Sequence, residues 1–192
     1  MNQRSRKDEI IQTAAILFRE KGYTGSTMRD LAHNVGIEAA SLYNHINSKD
    51  ELLSEICIHI AHLFTNEMNR VKKLNSSSVD KLIALIDFHI LITIDHNDMI
   101  AVTNQEWRHL NDSSMTGFIK FRDQYEQNFK AIVKEGIDNG ELLQADPELV
   151  MFTVLSSLRW LQFWYRPDRK LETDTIRIQL KNMLLKGIQA HG

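Results

Sequence analysis

Apolar residues recur every three or four positions along almost the whole chain, and only two prolines interrupt its 192 residues. A sustained 3.6-residue period buries one face of a helix, and no convincing alternating or hairpin segment competes with it, so an all-α fold is expected. Ile10, Ile11, Ala14, Ala15, Leu17 and Phe18 place a first helix at about 6–21, stopped by Gly22. A short helix, capped by Thr27 with Asp30 in its first turn, runs to about Val35. Gly36 makes a tight turn into a second short helix at about 38–45. Ser48-Lys49-Asp50-Glu51 is a capping box that opens a helix to about Leu74. After the Ser76-Ser77-Ser78 linker, helices follow at about 78–95, 98–110 and 113–138, the last stopped by Asn139-Gly140. Asp146-Pro147-Glu148 combines an N-cap, a proline at the first helical position and a first-turn acid. That helix runs to Tyr165, where Arg166-Pro167 ends it, and Thr173-Asp174 opens a final one to about Ile188. Nine helices are expected, and no internal repeat.

Several classes of protein are excluded at this stage. No apolar run approaches the roughly 18 residues needed to cross a bilayer; the richest, Ile90 to Ile94, is bounded by His89 and Asp95. The basic opening Met1–Lys7 lacks a signal peptide's apolar core, and the single cysteine, Cys57, cannot form an internal disulfide, so a cytoplasmic protein is expected. There is no Gly-rich phosphate loop, no G-x-S-x-G elbow and no partner pattern for Cys57, so neither an enzyme nor a cofactor is expected. Glu55, His59 and His62 share a helix face, as His89 and His96 can, but neither set completes a metal site, and none is assigned.

Charge is unevenly spread. Residues 1–49 carry seven Lys/Arg against five Asp/Glu, and residues 50–192 carry sixteen against twenty. A mildly positive head on an acidic body is compatible with phosphate contact at one end. Residues 27–46 sharpen this: two short helices joined by a three-to-four-residue turn with Gly36 at the bend form a helix-turn-helix pattern. Leu31, Val35, Ile37 and Leu42 supply the apolar lock, leaving Ala39, Ala40, Ser41, Asn44 and His45 outward. Small residues at the start of the second helix let it enter a major groove about 12 Å wide. Asn44 and His45 can hydrogen-bond base edges or phosphates, and Tyr43 can bring a hydroxyl to a phosphate.

Residues 4–64 resemble the DNA-binding domain of the tetracycline-repressor-like (TetR) family. The resemblance rests on Ala14-Ala15-x-Leu17-Phe18, Lys21-Gly22-Tyr23, Thr27-Met28-Arg29-Asp30-Leu31-Ala32 and Val35-Gly36-Ile37, followed by Ser41-Leu42-Tyr43-Asn44-His45-Ile46 and Ser48-Lys49-Asp50-Glu51-Leu52-Leu53. Asn44 and Ile46 stand where the family often has aromatics. The resemblance implies that Thr27 caps its helix and touches a phosphate, with Arg6 or Lys7 near the backbone. It places Ala39, Ala40, Ser41 and Asn44 against bases, and Tyr43, His45 and Lys49 against the DNA backbone. The division expected is a DNA-binding domain at 1–50, a connecting helix at 51–75 and an effector-binding and dimerisation domain at 76–192.

Residues 78–192 hold all three tryptophans and six of the eight phenylalanines. Such rings usually form core, but on five helices they can also enclose a cavity. An apolar cleft is expected from Phe88, Ile92, Trp107, Tyr125, Leu155 and Trp160, with Arg108 or Arg159 available to ligand oxygens. Gln105–His109 and Trp160–Pro167 also resemble the TetR-like subgroup that senses acyl-CoA thioesters. Val154, Ser157, Leu158 and Leu161 on one helix, with Ile176, Leu180, Met183 and Leu184 on the next, form apolar stripes. The resemblance implies that these two helices meet their copies in a homodimer, which supplies the paired heads a palindromic operator requires. The function expected is an effector-released transcriptional repressor. Two alternatives stand beside it: an effector-independent architectural DNA-binding protein with a filled rear core, or a helical protein-interaction domain.

Overall fold

The computed structural model describes residues 5–166 and 172–186, and they are helical almost throughout. In chain order the helices are α1 (Arg6–Lys21), α2 (Met28–Val35), α3 (Ala39–Leu42), α4 (Lys49–Lys72), α5 (Ser78–Asp95) and α6 (Asn97–Glu106). A 3₁₀ turn, Trp107–His109, separates α6 from α7 (Asp112–Asp138), after which come α8 (Pro147–Arg159), α9 (Leu161–Trp164) and α10 (Thr173–Lys186). The nine expected helices are all present. The eighth is divided at Trp160, which keeps right-handed helical angles (φ −66°, ψ −22°), so α8 and α9 are one helix with an irregular turn. Pro167 and the expected end of the last helix at Ile188 lie outside the described residues.

Local chemistry explains the boundaries. Ser5 and Thr27 cap α1 and α2, each accepting from the N–H three residues on while that residue's carboxylate takes the cap's own N–H. Asp146 accepts from the N–H groups of Glu148 and Leu149 and caps α8, with Pro147 at its first position. At α4 the expected box is shifted by one residue. Ser48 Oγ accepts from the Glu51 N–H at 3.1 Å, but the Glu51 carboxylate reaches past Ser48 to the Asn47 backbone and side-chain N–H groups, both 2.9 Å away.

Packing sorts the chain into two compact units: one joins the residues up to His62 with Asp98–Lys120, the other joins Leu63–Asn97 with the chain from Phe121 onward. This grouping differs from a linear division at 50 and 75, because α6 and the start of α7 pack with the N-terminal helices. In the first unit Arg19 pairs with Asp98 at 2.7 Å, Ser54 Oγ donates to Ser114 Oγ at 2.9 Å, and the His109 ring stacks on Tyr23 at 5.4 Å. In the second unit, Leu82, Leu85, Ile86 and Ile90 of α5, Phe129 and Val133 of α7, and Val150, Val154 and Leu158 of α8 share one core.

Gly36 adopts the left-handed conformation (φ +75°, ψ +36°) between α2 and α3, and its N–H bonds back to the α2 carbonyls of Ala32 and His33. Nothing lies within 4 Å of where its Cβ would be, so the cost of a side chain here is conformational, not steric. Gly36→Ala should therefore destabilise the protein by about 1–2 kcal/mol in urea unfolding, with Gly36→Asn losing less; an alanine variant as stable as wild type would contradict this account of the turn.

Candidate functional site

Leu42 and Ile46 are buried, while Ala39, Ala40, Ser41, Tyr43, Asn44 and His45 around them are exposed. Regular α-helix covers only Ala39–Leu42; Asn44, His45 and Ile46 continue it as turns through N–H bonds to Ser41 and Leu42 carbonyls. The result is a short helical projection, anchored from beneath, whose outer surface is small at its start and polar at its end. Tyr43 keeps 52% of its surface accessible, which leaves its hydroxyl available for a partner outside the chain.

The flanking cations are held in ion pairs. Arg6 bonds to Glu9, and its other guanidinium N–H donates to the Val35 carbonyl at 3.5 Å. Lys7 meets Glu55 at 2.6 Å, and this bond raises the lysine pKa above its ordinary value. Thr27 is occupied by its capping bonds with Asp30, which, with Lys21 adding to them, hold that carboxyl below the usual carboxylate range. Lys49 is placed differently from the expectation of a clamp on the DNA backbone. Its ammonium donates to the carbonyls of Tyr23 and Ser26, at 2.8 and 2.9 Å, and lies over the Tyr23 ring. It stitches the α1–α2 turn to the start of α4, beside the Tyr23–Asp50 hydrogen bond.

The residues expected to line the rear cleft are divided between the two units. Trp107 and Arg108 belong to the first unit, where Trp107 stacks on Phe118 at 5.9 Å and Arg108 lies over Trp107. Trp160 is 69% exposed, Arg159 is exposed, Leu155 packs against the second unit's core, and Ile92 is buried. Phe88 and Tyr125 do come together, joined by two residues the sequence did not single out as effector contacts, Phe64 and His89. The Phe64 ring lies 4.6 Å from His89, 5.5 Å from Phe88 and 5.7 Å from Tyr125, and a 2.8 Å hydrogen bond joins His89 Nε2 and Tyr125 Oη. Burial, with Arg159 adding, pushes the His89 pKa down to about 3, and burial, with Glu67 adding, pushes Tyr125 up. Both are neutral at pH 7. The signal for His89 was its place between Phe88 and the apolar run Ile90–Ile94; Phe64 gave none beyond ordinary core spacing.

The residues of the expected dimer stripe divide between core and surface. Val154, Leu158, Leu161 and Ile176 are buried in their own chain's core. Ser157, Leu180 and Leu184 are half-buried, and Met183 is 72% exposed. A second stripe on α8–α9, Leu149, Phe152, Trp160 and Phe163, faces outward instead. Next to it Ser157, Trp160, Trp164, Gln179, Leu180 and Met183 line a groove of about 370 Å³. Among the described residues no helix is long and apolar enough to cross a membrane, and no group of three or more His, Cys, Asp or Glu could hold a metal.

A capped helix-turn-helix with an exposed polar projection, joined to a second helical unit, defines a DNA-binding transcriptional regulator. Residues 10–56 match the bacterial regulatory proteins of the tetR family, and residues 75–188 match the tetracyclin repressor-like C-terminal domain. The chain belongs to the TetR family, whose members are regulators and not enzymes. It is 25% identical over 187 residues to the HTH-type transcriptional repressor KstR2 of Mycolicibacterium smegmatis, covering 96% of this chain and 91% of that one. The structure of ketosteroid transcriptional regulator KstR2 of Mycobacterium tuberculosis superposes with a TM-score of 0.93 at 22% identity, over 99% of this chain and 98% of that one. AibR in complex with isovaleryl coenzyme A and operator DNA superposes with a TM-score of 0.81 at 24% identity, over 93% and 97%.

His89 makes the second unit's stability pH-dependent. The unfolded chain takes up a proton near pH 6.5 that the folded chain refuses until about pH 3. This contribution is complete above pH 6.5 and is lost as pH falls, by about 1.4 kcal/mol per pH unit within that window. Urea unfolding between pH 6 and 4.5 should show this slope in the wild type and a slope shallower by that amount in His89→Phe; equal slopes would contradict the assignment.

Proposed function

We propose that the protein is a cytoplasmic repressor that binds a palindromic operator as a homodimer and is released by a small effector. The observation that carries this reading is the exposed surface built from Ala39 to His45 over buried Leu42 and Ile46. In it, Ala39, Ala40, Ser41 and Asn44 meet base edges. Tyr43, His45, Thr27, Arg6 and Lys7 meet phosphates, the two cations exchanging their carboxylate partners for the DNA backbone. Residues 1–50 then act as the DNA-reading part, 51–75 as the connecting helix, and 76–192 as the effector-binding and dimerisation part.

A second copy covers the outward stripe of α8–α9, Leu149, Phe152, Trp160 and Phe163, together with Met183 of α10. Large contiguous apolar surface of this kind marks an association site. The effector binds in the second unit beside Phe64, Phe88, His89 and Tyr125. It is a small apolar or amphipathic molecule, and the fold shared with AibR, crystallised with isovaleryl coenzyme A, supports an acyl-CoA thioester as one candidate. Helix α4 belongs to both units, so a shift in the second is carried along one continuous helix into the first. The effector releases DNA to the extent that it prefers the conformation that does not fit the operator.

Operator fragments selected from genomic DNA provide the test. Tyr43→Ala should leave the unfolding midpoint unchanged and weaken operator binding by about two- to tenfold, the worth of one hydrogen bond. Met183→Glu should give a monomer with reduced affinity for the two-half-site operator. Unchanged operator affinity for Tyr43→Ala, or a dimeric Met183→Glu variant, would count against this arrangement.

A further inference from the structure

The hydrogen-bonded pair of His89 on α5 and Tyr125 on α7 is an unusual thing to bury among phenylalanines. A buried polar pair with no part in a larger network costs more than apolar residues of the same size, so its retention asks for a purpose. Each group also keeps capacity that the other does not use. If Tyr125 O–H donates to Nε2, the phenol oxygen can still accept; if Nε2–H donates to the phenol oxygen, the Tyr125 O–H is free to donate. Phe64, Phe88, His89 and Tyr125 are each partly exposed residues, so the cluster is not sealed on every side. Three of them, Phe64, Phe88 and Tyr125, offer apolar walls, and the pair offers one polar point.

The charges near this point oppose each other. Arg159 acts on His89 through space, and Glu67, itself paired with Arg70, acts on Tyr125. Arg159 lies out in solvent, and among the described residues no ammonium or guanidinium is hydrogen-bonded to the pair. A carboxylate brought here would lose its hydration without gaining a cation, whereas a hydroxyl or carbonyl would need only the hydrogen bond that the pair can supply.

We infer that the part of the effector received at His89 and Tyr125 is an uncharged apolar group carrying one hydroxyl or carbonyl oxygen, and that the ionised acid of the same skeleton is rejected. This rests on the effector reading given above and adds chemical selectivity to it. A regulator built this way responds to an ester, thioester, ketone or alcohol while ignoring the free acid.

The test uses the full chain at pH 7.5 with three probes of matched length: 1-octanol, methyl octanoate and octanoate. Binding is followed by calorimetry and by the imidazole NMR signals of His89. The alcohol and the ester should bind at least about tenfold more tightly than octanoate and shift the His89 signals. Tyr125→Phe keeps the ring and removes the hydroxyl. It should reduce alcohol and ester affinity by roughly three- to tenfold and leave octanoate unchanged. Octanoate binding as tightly as the ester, or alcohol and ester affinities untouched by Tyr125→Phe, would overturn the inference while leaving an effector site in place. Wild-type His89 signals unmoved by a bound alcohol or ester would overturn it as well, even if the variant does not fold. Failure of all three probes to bind, with the operator complex intact in their presence, would overturn both this inference and the effector reading.

Discussion

Burial of Leu42 and Ile46 is the constraint on which the proposed DNA-reading surface depends. Four residues of regular helix have no stability of their own, because nucleating a helix costs more than one turn of hydrogen bonds returns. The projection is held by its packing on α2 and by the turn that Gly36 permits, and only then do its other side chains acquire fixed positions. Lys49 and Tyr23 reinforce the same platform from behind, tying the α1–α2 turn to the start of α4. The residues proposed to meet DNA can therefore be small and polar, since none of them is needed to hold the helix in place.

The second unit makes a different use of its apolar residues. Its aliphatic positions close a core shared by five long helices and completed by Phe129, while several other aromatic positions go to two places that a core does not explain. One group gathers around the neutral His89–Tyr125 pair, and the other lies outward on α8–α9. A polar pair set among aromatic rings and an uncovered aromatic stripe both cost stability in an isolated chain. Each is intelligible as a place kept for a partner, a small molecule in one case and a second copy in the other.

Local rules made the first unit legible from sequence. Thr27, Gly36, Asp146 and Pro147 act through neighbours no more than four residues away, so their roles could be assigned without tertiary information. The outward set from Ala39 to His45 followed from the positions of Leu42 and Gly36. The second unit resisted because α8 carries apolar residues on two faces. Periodicity found Val154, Leu158 and Leu161 but could not say which face turns inward, and the aliphatic face proved to be the core. Trp107 was grouped with Phe88 on composition, whereas the 3₁₀ turn at Trp107–His109 places it with α7's first turns, against Phe118. Lys49 looked like a phosphate ligand because a lysine's partners across 23 residues of chain cannot be read from spacing.

Operator binding as proposed seats the outer face of α3 in the major groove. Cross-linking from a cysteine introduced at position 40 (Ala40→Cys) to operator DNA bearing a thiol-reactive base measures this directly, because Cys57 is buried and does not compete. The account predicts cross-links at symmetry-related bases of both half-sites, and none from a cysteine at exposed Ile16 on α1. Cross-linking from position 16 but not from position 40 would contradict it.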